Sequence, residues 1–186
     1  MVGPSRRSVR SAKPNLRRFE EEIERVRQIY NQAWSRNWGF VPLREDEFQH
    51  IARDMKLIIE PRLALMAEVE GRPVGFSLTI PNIYESQIKI RNGRLLPFGA
   101  LRLIWDLKVR RAIKGVRTIT MGVVHDYQKR GIESIFYIET TDRAIELGYD
   151  WSELSWILED NEMMIRAAEA LGGRCSRRYR IYHKKI

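Results

Sequence analysis

The stretch Thr118-Ile119-Thr120-Met121-Gly122-Val123-Val124-His125-Asp126-Tyr127-Gln128-Lys129-Arg130-Gly131-Ile132-Glu133-Ser134-Ile135-Phe136-Tyr137-Ile138-Glu139-Thr140 decides how the chain reads. From Val116 to Val124 the pattern is that of a strand, with Ile119, Met121 and Val123 on one face. A polar loop, His125 to Gly131, follows. A helix then runs from about Ile132 to Leu147, with Gly148 as its left-handed cap. A helix entered through such a loop offers unpaired backbone N–H groups and the positive end of its dipole. That is a place for a diphosphate, with Gly131 admitting close approach and Lys129 and Arg130 adding charge. Strand–loop–helix units of this kind also occur without any ligand.

Downstream, Tyr149 to Leu158 reads as a strand, Asn161 to Leu171 as a helix closed by Gly172-Gly173, and Arg174 to His183 as a last strand. Upstream, Leu16, Phe19, Ile23, Val26, Tyr30 and Ala33 recur at helical spacing, and Asn37 to Pro42 breaks the pattern. A second helix is expected from Arg44 to Ile58. The period then changes to two. Leu63, Leu65, Ala67 and Val69 alternate, Glu70-Gly71-Arg72-Pro73 turns, and Val74, Phe76, Leu78 and Ile80 alternate again, which makes a hairpin. Residues 81–115 form an excursion with a basic amphipathic stretch around Leu101, Leu103, Ile104, Trp105, Leu107 and Val109. Strands alternating with helices in the second half predict an α/β (α+β) domain, a mixed sheet covered by helices.

The 186 residues suit one domain, residues 16–186, behind a flexible basic head at 1–15. Hydrophobic residues make up 44% and charged residues 31%, a globular balance. No apolar run approaches the roughly 20 residues of a membrane span. The basic N-terminus lacks the apolar stretch of a secretory signal. Cys175 is the only cysteine, which suits a reducing compartment, so a cytoplasmic location is expected. The net charge of +9 is concentrated in blocks: +6 over residues 1–18, +8 over 89–117 and +6 over 174–186. Such blocks attract phosphates of a cofactor, RNA or an anionic membrane, or are simply solvated. His50, His125 and His183 lack metal spacing, and no Walker or Gly-x-Ser-x-Gly signature occurs. The basic, aromatic C-terminus could stack RNA, but its alternation equally fits a strand with one wet face, so nucleic acid is not the expected partner.

The segment Gln128-Lys129-Arg130-Gly131-Ile132-Glu133 resembles the acetyl-CoA signature of the GNAT acetyltransferase superfamily, Gln/Arg-x-x-Gly-x-Gly/Ala between the fourth strand and third helix. Gln128 and Gly131 match, and Glu133 stands where the family has a small residue. Glu153 to Gly173 is also similar, a strand ending near Asn161 and then a helix closing on Leu171-Gly172. More narrowly, Tyr30 to Trp34, Asn37 to Pro42 and Leu154 to Asn161 resemble an uncharacterised bacterial GNAT-like branch. The resemblance covers about residues 16–183. Members of that branch are often longer at the N-terminus, so a C-terminal half or a shortened form is expected.

The resemblance implies a mostly antiparallel sheet with splayed central parallel strands, and an acetyl-CoA-dependent N-acetyltransferase acting on an unidentified amine. It implies cofactor contacts at Val123, Val124, Gln128, Lys129, Arg130, Gly131, Ile132, Glu133 and Asn161, and no metal. Asn161 is placed near the pantetheine arm or the acceptor, although Asp160 or Asn161 equally serves as a helix cap. Ala168 falls where the family commonly has the Tyr that protonates the thiolate, and Tyr179 or Tyr182 is the substitute. Glu153 and Glu159 are the candidate bases, each also readable as an exposed acid. The insertion at 81–115 is expected to act as a lid, with Arg91, Arg94 and Arg102 favouring a negatively charged acceptor or carrier. It also fits a helix lying on a membrane surface, or one burying Leu103, Ile104 and Leu107 against the sheet. Two alternatives to catalysis stand beside this, an acyl-CoA-binding or regulatory module of little or no activity and a basic RNA-associated protein. A homodimer is left open.

Overall fold

The computed structural model describes residues 10–12, 18–37, 39–90, 98–180, 182 and 184, with only the backbone for 10–12 and Phe98. Two compact units are present, Met1–Ser155 and Trp156–Ile186.

The first unit is built on a five-stranded sheet in the order β1-β2-β3-β4-β5. Its strands are β1 (Arg10–Ala12), β2 (Ala64–Val69), β3 (Arg72–Pro81), β4 (Gly115–Val123) and β5 (Trp151–Leu154). The first four pair antiparallel and β4 pairs β5 in parallel, giving the mixed, mostly antiparallel sheet that was expected. Within the stretch read as a basic head, Arg10–Ala12 adds an edge strand in register with Met66 to Glu68. The helices are α1 (Phe19–Trp34), α2 (Glu45–Met55), α3 (Tyr84–Gln87), α4 (Phe98–Ile104) and α5 (Ile132–Glu146).

Helices cover both faces of the sheet. On one, Leu65, Ala67, Val74 and Val123 bury Ile132 and Phe136 of α5. On the other, Trp34 of α1 meets Phe76 with ring centroids 6.0 Å apart and stacks on Tyr30 at 4.6 Å. The hairpin is therefore not the simple alternation the sequence suggests. The register slips between Ala67 and Glu68, pairing Ala67 with Gly75 but Glu68 with Pro73, so Val74 is an extra residue. A bulge of this kind turns the following side chains to the other face. Val74 accordingly joins the α5 cluster while Phe76 faces α1.

The excursion leaves and re-enters the sheet through a closed neck. The Asn82 N–H donates to the Gly115 carbonyl at 2.8 Å. The Glu85 carboxylate accepts from the backbone N–H groups of Lys114 at 2.9 Å and Gly115 at 2.8 Å. The expected helix is present as α4, continued by a π-helical turn, Trp105–Val109. Leu103 and Leu107 are half-buried, but Ile104 is exposed. Arg91 and Arg94 lie outside the described residues, as does Trp38.

The second unit holds α6 (Glu162–Ala170), with Gly172 in the left-handed region at φ 81°. The last strand expected from Arg174 to His183 does not form among the described residues, where 174–180 and 182 are exposed and irregular. Alternation supplies a strand with two distinct faces, but a strand also needs a partner to take up its backbone groups.

Gly122 sits under α1, where an added Cβ would run into the Trp34 ring and come within 3.1 Å of the Ala33 Cβ. Gly122→Ala should cost about 1–3 kcal/mol through overpacking. Urea denaturation would show it as a lower midpoint at unchanged slope.

Candidate functional site

The parallel pairing of β4 with β5 runs only from Gly115↔Trp151 to Thr118↔Leu154, closed by the Ser155 N–H donating to the Thr118 carbonyl at 3.1 Å. Pairing of β4 with β3 continues to Gly75↔Val123. One edge of β4 from Ile119 to Val123 is thus left without a β5 partner, the notch expected of splayed strands. At its upper end the Gln128 side-chain amide donates to the Val123 carbonyl at 2.9 Å, and the Val124 N–H is held by the Val74 carbonyl at 2.9 Å. A 3-10 turn, His125–Tyr127, leads into the loop.

Two residues of that loop are left-handed, Lys129 at φ 59° and Gly131 at φ 84°. Holding a non-glycine residue there costs roughly 1–2 kcal/mol, and such strain gathers at functional segments. Gly131 is the N-cap of α5, with no side chain capping the helix. An added Cβ at Gly131 would meet nothing within 4 Å, so the space beside Gly131 is open. With no side-chain cap, the leading N–H groups of α5 carry the positive end of the dipole next to it. The Arg130 guanidinium lies over the Tyr127 ring, 5.1 Å from its centroid. Ile132 is fully buried and anchors the first turn to the core.

Glu133 is half-buried. It influences Tyr137, one turn further along α5, whose hydroxyl is pushed up to about 12, mainly by burial and then by the Glu133 charge. One chain segment thus brings Val123, Val124, Gln128, Lys129, Arg130, Gly131, Ile132 and Glu133 together.

The candidate bases are both engaged with arginines. Glu153 on β5 pairs with Arg117 at 3.4 Å. In the second unit, exposed Glu159 pairs with Arg180 at 3.3 Å and Arg178 at 3.8 Å. Asn161 caps α6, its Oδ1 accepting from the Met164 N–H at 3.2 Å. Tyr179 and Tyr182 are both exposed. His125 stands 3.4 Å from the Ser35 hydroxyl and exposed His50 pairs with Asp54 at 3.6 Å.

Sequence reasoning passed over four hydroxyls, those of Thr79, Thr118, Thr120 and Ser155. Thr118 and Thr79 share a buried hydrogen bond of 2.8 Å. The buried hydroxyls of Thr120 and Ser155 make no hydrogen bond among the described residues. Such unpaired groups are uncommon in folded proteins. Nothing in the local pattern marks them, because strands of this kind carry Thr and Ser for packing as often as for chemistry.

No protein-family model matches the chain. The chain is 37% identical over 176 residues to the bacterial ceramide synthase of Caulobacter vibrioides (strain NA1000 / CB15N), covering 92% of this chain and 45% of that protein. It is 38% identical over 176 residues to Protein YghO of Escherichia coli (strain K12), again covering 92% of this chain and 45% of that protein. It therefore spans less than half the length of these curated relatives. Among solved structures, aminoglycoside N-acetyltransferase AAC(6')-Iy in complex with CoA superposes with a TM-score of 0.57 at 13% identity, over 96% of this chain and 94% of that one. The chain has the fold of the GNAT acetyltransferase superfamily. No helix among the described residues is long and apolar enough to cross a membrane.

Burial of Tyr137 makes stability depend on alkaline pH. An ordinary tyrosine ionises near 10, so between about 10 and 12 the unfolded chain loses this proton while the folded chain keeps it. The stabilising contribution is complete below that window and is lost as pH rises through it. Urea midpoints measured across the window should fall more steeply for the native chain than for Tyr137→Phe.

Proposed function

We propose that residues 16–186 form an acyl-CoA-dependent N-acyltransferase domain that holds the CoA diphosphate at Gln128 to Glu133. The observation that carries this reading is the parting of β4 from β5 just ahead of the left-handed loop and the open end of α5. The unpaired edge of β4 offers backbone groups to an extended amide-bearing arm, and the α5 N-terminus offers N–H groups to phosphate oxygens. Acetyl-CoA is the simplest donor.

In the reaction, the nitrogen lone pair of a neutral amine attacks the thioester carbonyl. A C–N bond forms, the C–S bond breaks and CoA leaves as thiolate. The amine proton passes to a base, for which Glu153 is the candidate in the first unit; Glu159 of the second unit is a candidate through the family resemblance alone. Acid–base help of this kind is typically worth about 10²–10⁴-fold. Asn161 and Tyr182 of the second unit are candidates through the family resemblance alone. A thiol ionises near about 8.5, so the thiolate leaves adequately even with Ala168 where the family's Tyr commonly stands.

The relatives suggest the acceptor. A ceramide is an N-acylated long-chain amino alcohol, so the synthase that is 37% identical over most of this chain bears a name describing acyl transfer to an amine. We assign this chain a long-chain amine as acceptor. A second reading, a CoA-binding module without turnover, is favoured by Ala168 and by the engagement of Glu153 and Glu159 with arginines.

Calorimetric titration of the chain with CoA and acyl-CoA should show binding that weakens at least about tenfold in Gly131→Glu, which fills the open space with a like charge. Mass spectrometry after incubation with acyl-CoA and a long-chain amine should find the amide. Binding without amide over a panel of amines would establish the second reading. Absence of binding at millimolar CoA would remove both.

A further inference from the structure

The helical stretch from Phe98 to Val109 buries its one acid and leaves four large apolar side chains exposed. Gly99, Leu103, Asp106 and Leu107 turn inward, while Leu101, Ile104, Trp105, Lys108 and Val109 turn outward. Asp106 is 2% exposed, against 62% for Leu101, 42% for Ile104, 55% for Trp105 and 58% for Val109. A surface helix normally does the reverse, burying its apolar stripe. The inward acid is accommodated by the Ser86 hydroxyl, which donates to Asp106 Oδ2 at 2.8 Å, and by Arg102 and Arg110 at 3.8 and 3.9 Å. The π-helical turn, closed by the Arg110 N–H on the Trp105 carbonyl at 2.9 Å, carries Trp105 and sets Arg110 beyond it. Such turns are rare and concentrate where function needs them. Leu101, Arg102, Trp105, Asp106 and Arg110 line an open hollow of about 460 Å³.

The exposed charges of this segment have one sign. Arg102, Lys108, Arg110 and Arg111 are exposed, and the sole acid between residues 98 and 114 is the buried Asp106. We propose that this face docks on an anionic lipid surface. Leu101, Ile104 and Trp105 enter the boundary between headgroups and acyl chains, and Arg102 and Arg110 at the hollow meet lipid phosphates. Trp favours that boundary because its ring is apolar and its N–H polar. The complement of charge selects this occupant. A second copy would bring basic side chains against one another, and a nucleic acid has no use for Leu101 and Ile104. The proposal goes beyond acyl transfer and does not depend on it.

The test is flotation of the full chain with vesicles of phosphatidylcholine alone and of equal parts phosphatidylcholine and phosphatidylglycerol. Binding is expected on the mixed vesicles only, and high salt should weaken it. The termini of the chain are also basic, so the deciding variant leaves charge untouched. Leu101→Ser/Trp105→Ser should lower apparent affinity for mixed vesicles about tenfold or more. A second variant, Lys108→Gln/Arg110→Gln, should do the same through charge. All four residues are exposed, and unchanged thermal melts would confirm intact folding. Wild-type binding by the serine variant would overturn the proposal, as would equal binding to neutral vesicles. Failure of the native chain to float, with a dimer that the serine variant dissociates, would give the face to a second copy and overturn it too. Gly131→Glu should float like the native chain while losing CoA, so this proposal and the catalytic one fail separately.

Discussion

Much of this molecule follows from the fact that β4 has a β5 partner for only half its length. A strand left unpaired on one edge exposes donors and acceptors that water or a ligand must satisfy. In the first unit that edge lies between the Ser155–Thr118 hydrogen bond and the Gln128–Val123 hydrogen bond. The gap is held open by rigid neighbours on both sides. β3 pairs with β4 along its length, α5 is anchored by Ile132 and Phe136 beneath, and Trp34 packs against Gly122 above. A notch so braced keeps its shape without a ligand, so less ordering must accompany binding.

The same frame strains the loop that follows β4. Lys129 and Gly131 are both left-handed, yet Val124 and Ile132 on either side are tied into the sheet and the core. The fold imposes the loop conformation, and the loop in turn aims the α5 N-terminus outward. The lack of a side-chain cap on α5 is consistent with this, because a cap would compete for the N–H groups that a phosphate would use.

How far the sequence could be read depended on whether local pattern or distant packing decides each feature. The run from Val116 to Gly148 was legible because alternation, a basic loop and a glycine cap all act within a few residues. Asn161 as a cap was legible for the same reason. The hairpin was legible as a hairpin, but its faces were not. With α1 on one side and α5 on the other, apolar residues occupy both faces, and only the register slip at Val74 tells them apart. The C-terminal stretch misled because Tyr179, Ile181 and Tyr182 among arginines suggest alternation, and a strand exists only with a partner. The pairing of Glu153 with Arg117 and of Glu159 with Arg178 and Arg180 was out of reach, as were the unpaired hydroxyls of Thr120 and Ser155. These depend on tertiary placement, which spacing along the chain does not encode.

The closed neck of the excursion has an evolutionary consequence. Asn82, Glu85, Lys114 and Gly115 tie the two ends of the segment together at the sheet, so what lies between them is mechanically separate from β3 and β4. Loop-closure entropy grows only slowly with length, by about 0.6 kcal/mol per doubling. Such a segment is free to lengthen, shorten or be exchanged while the notch beside it stays unchanged. One sheet frame can thereby carry different surface segments through the exchange of a single cassette.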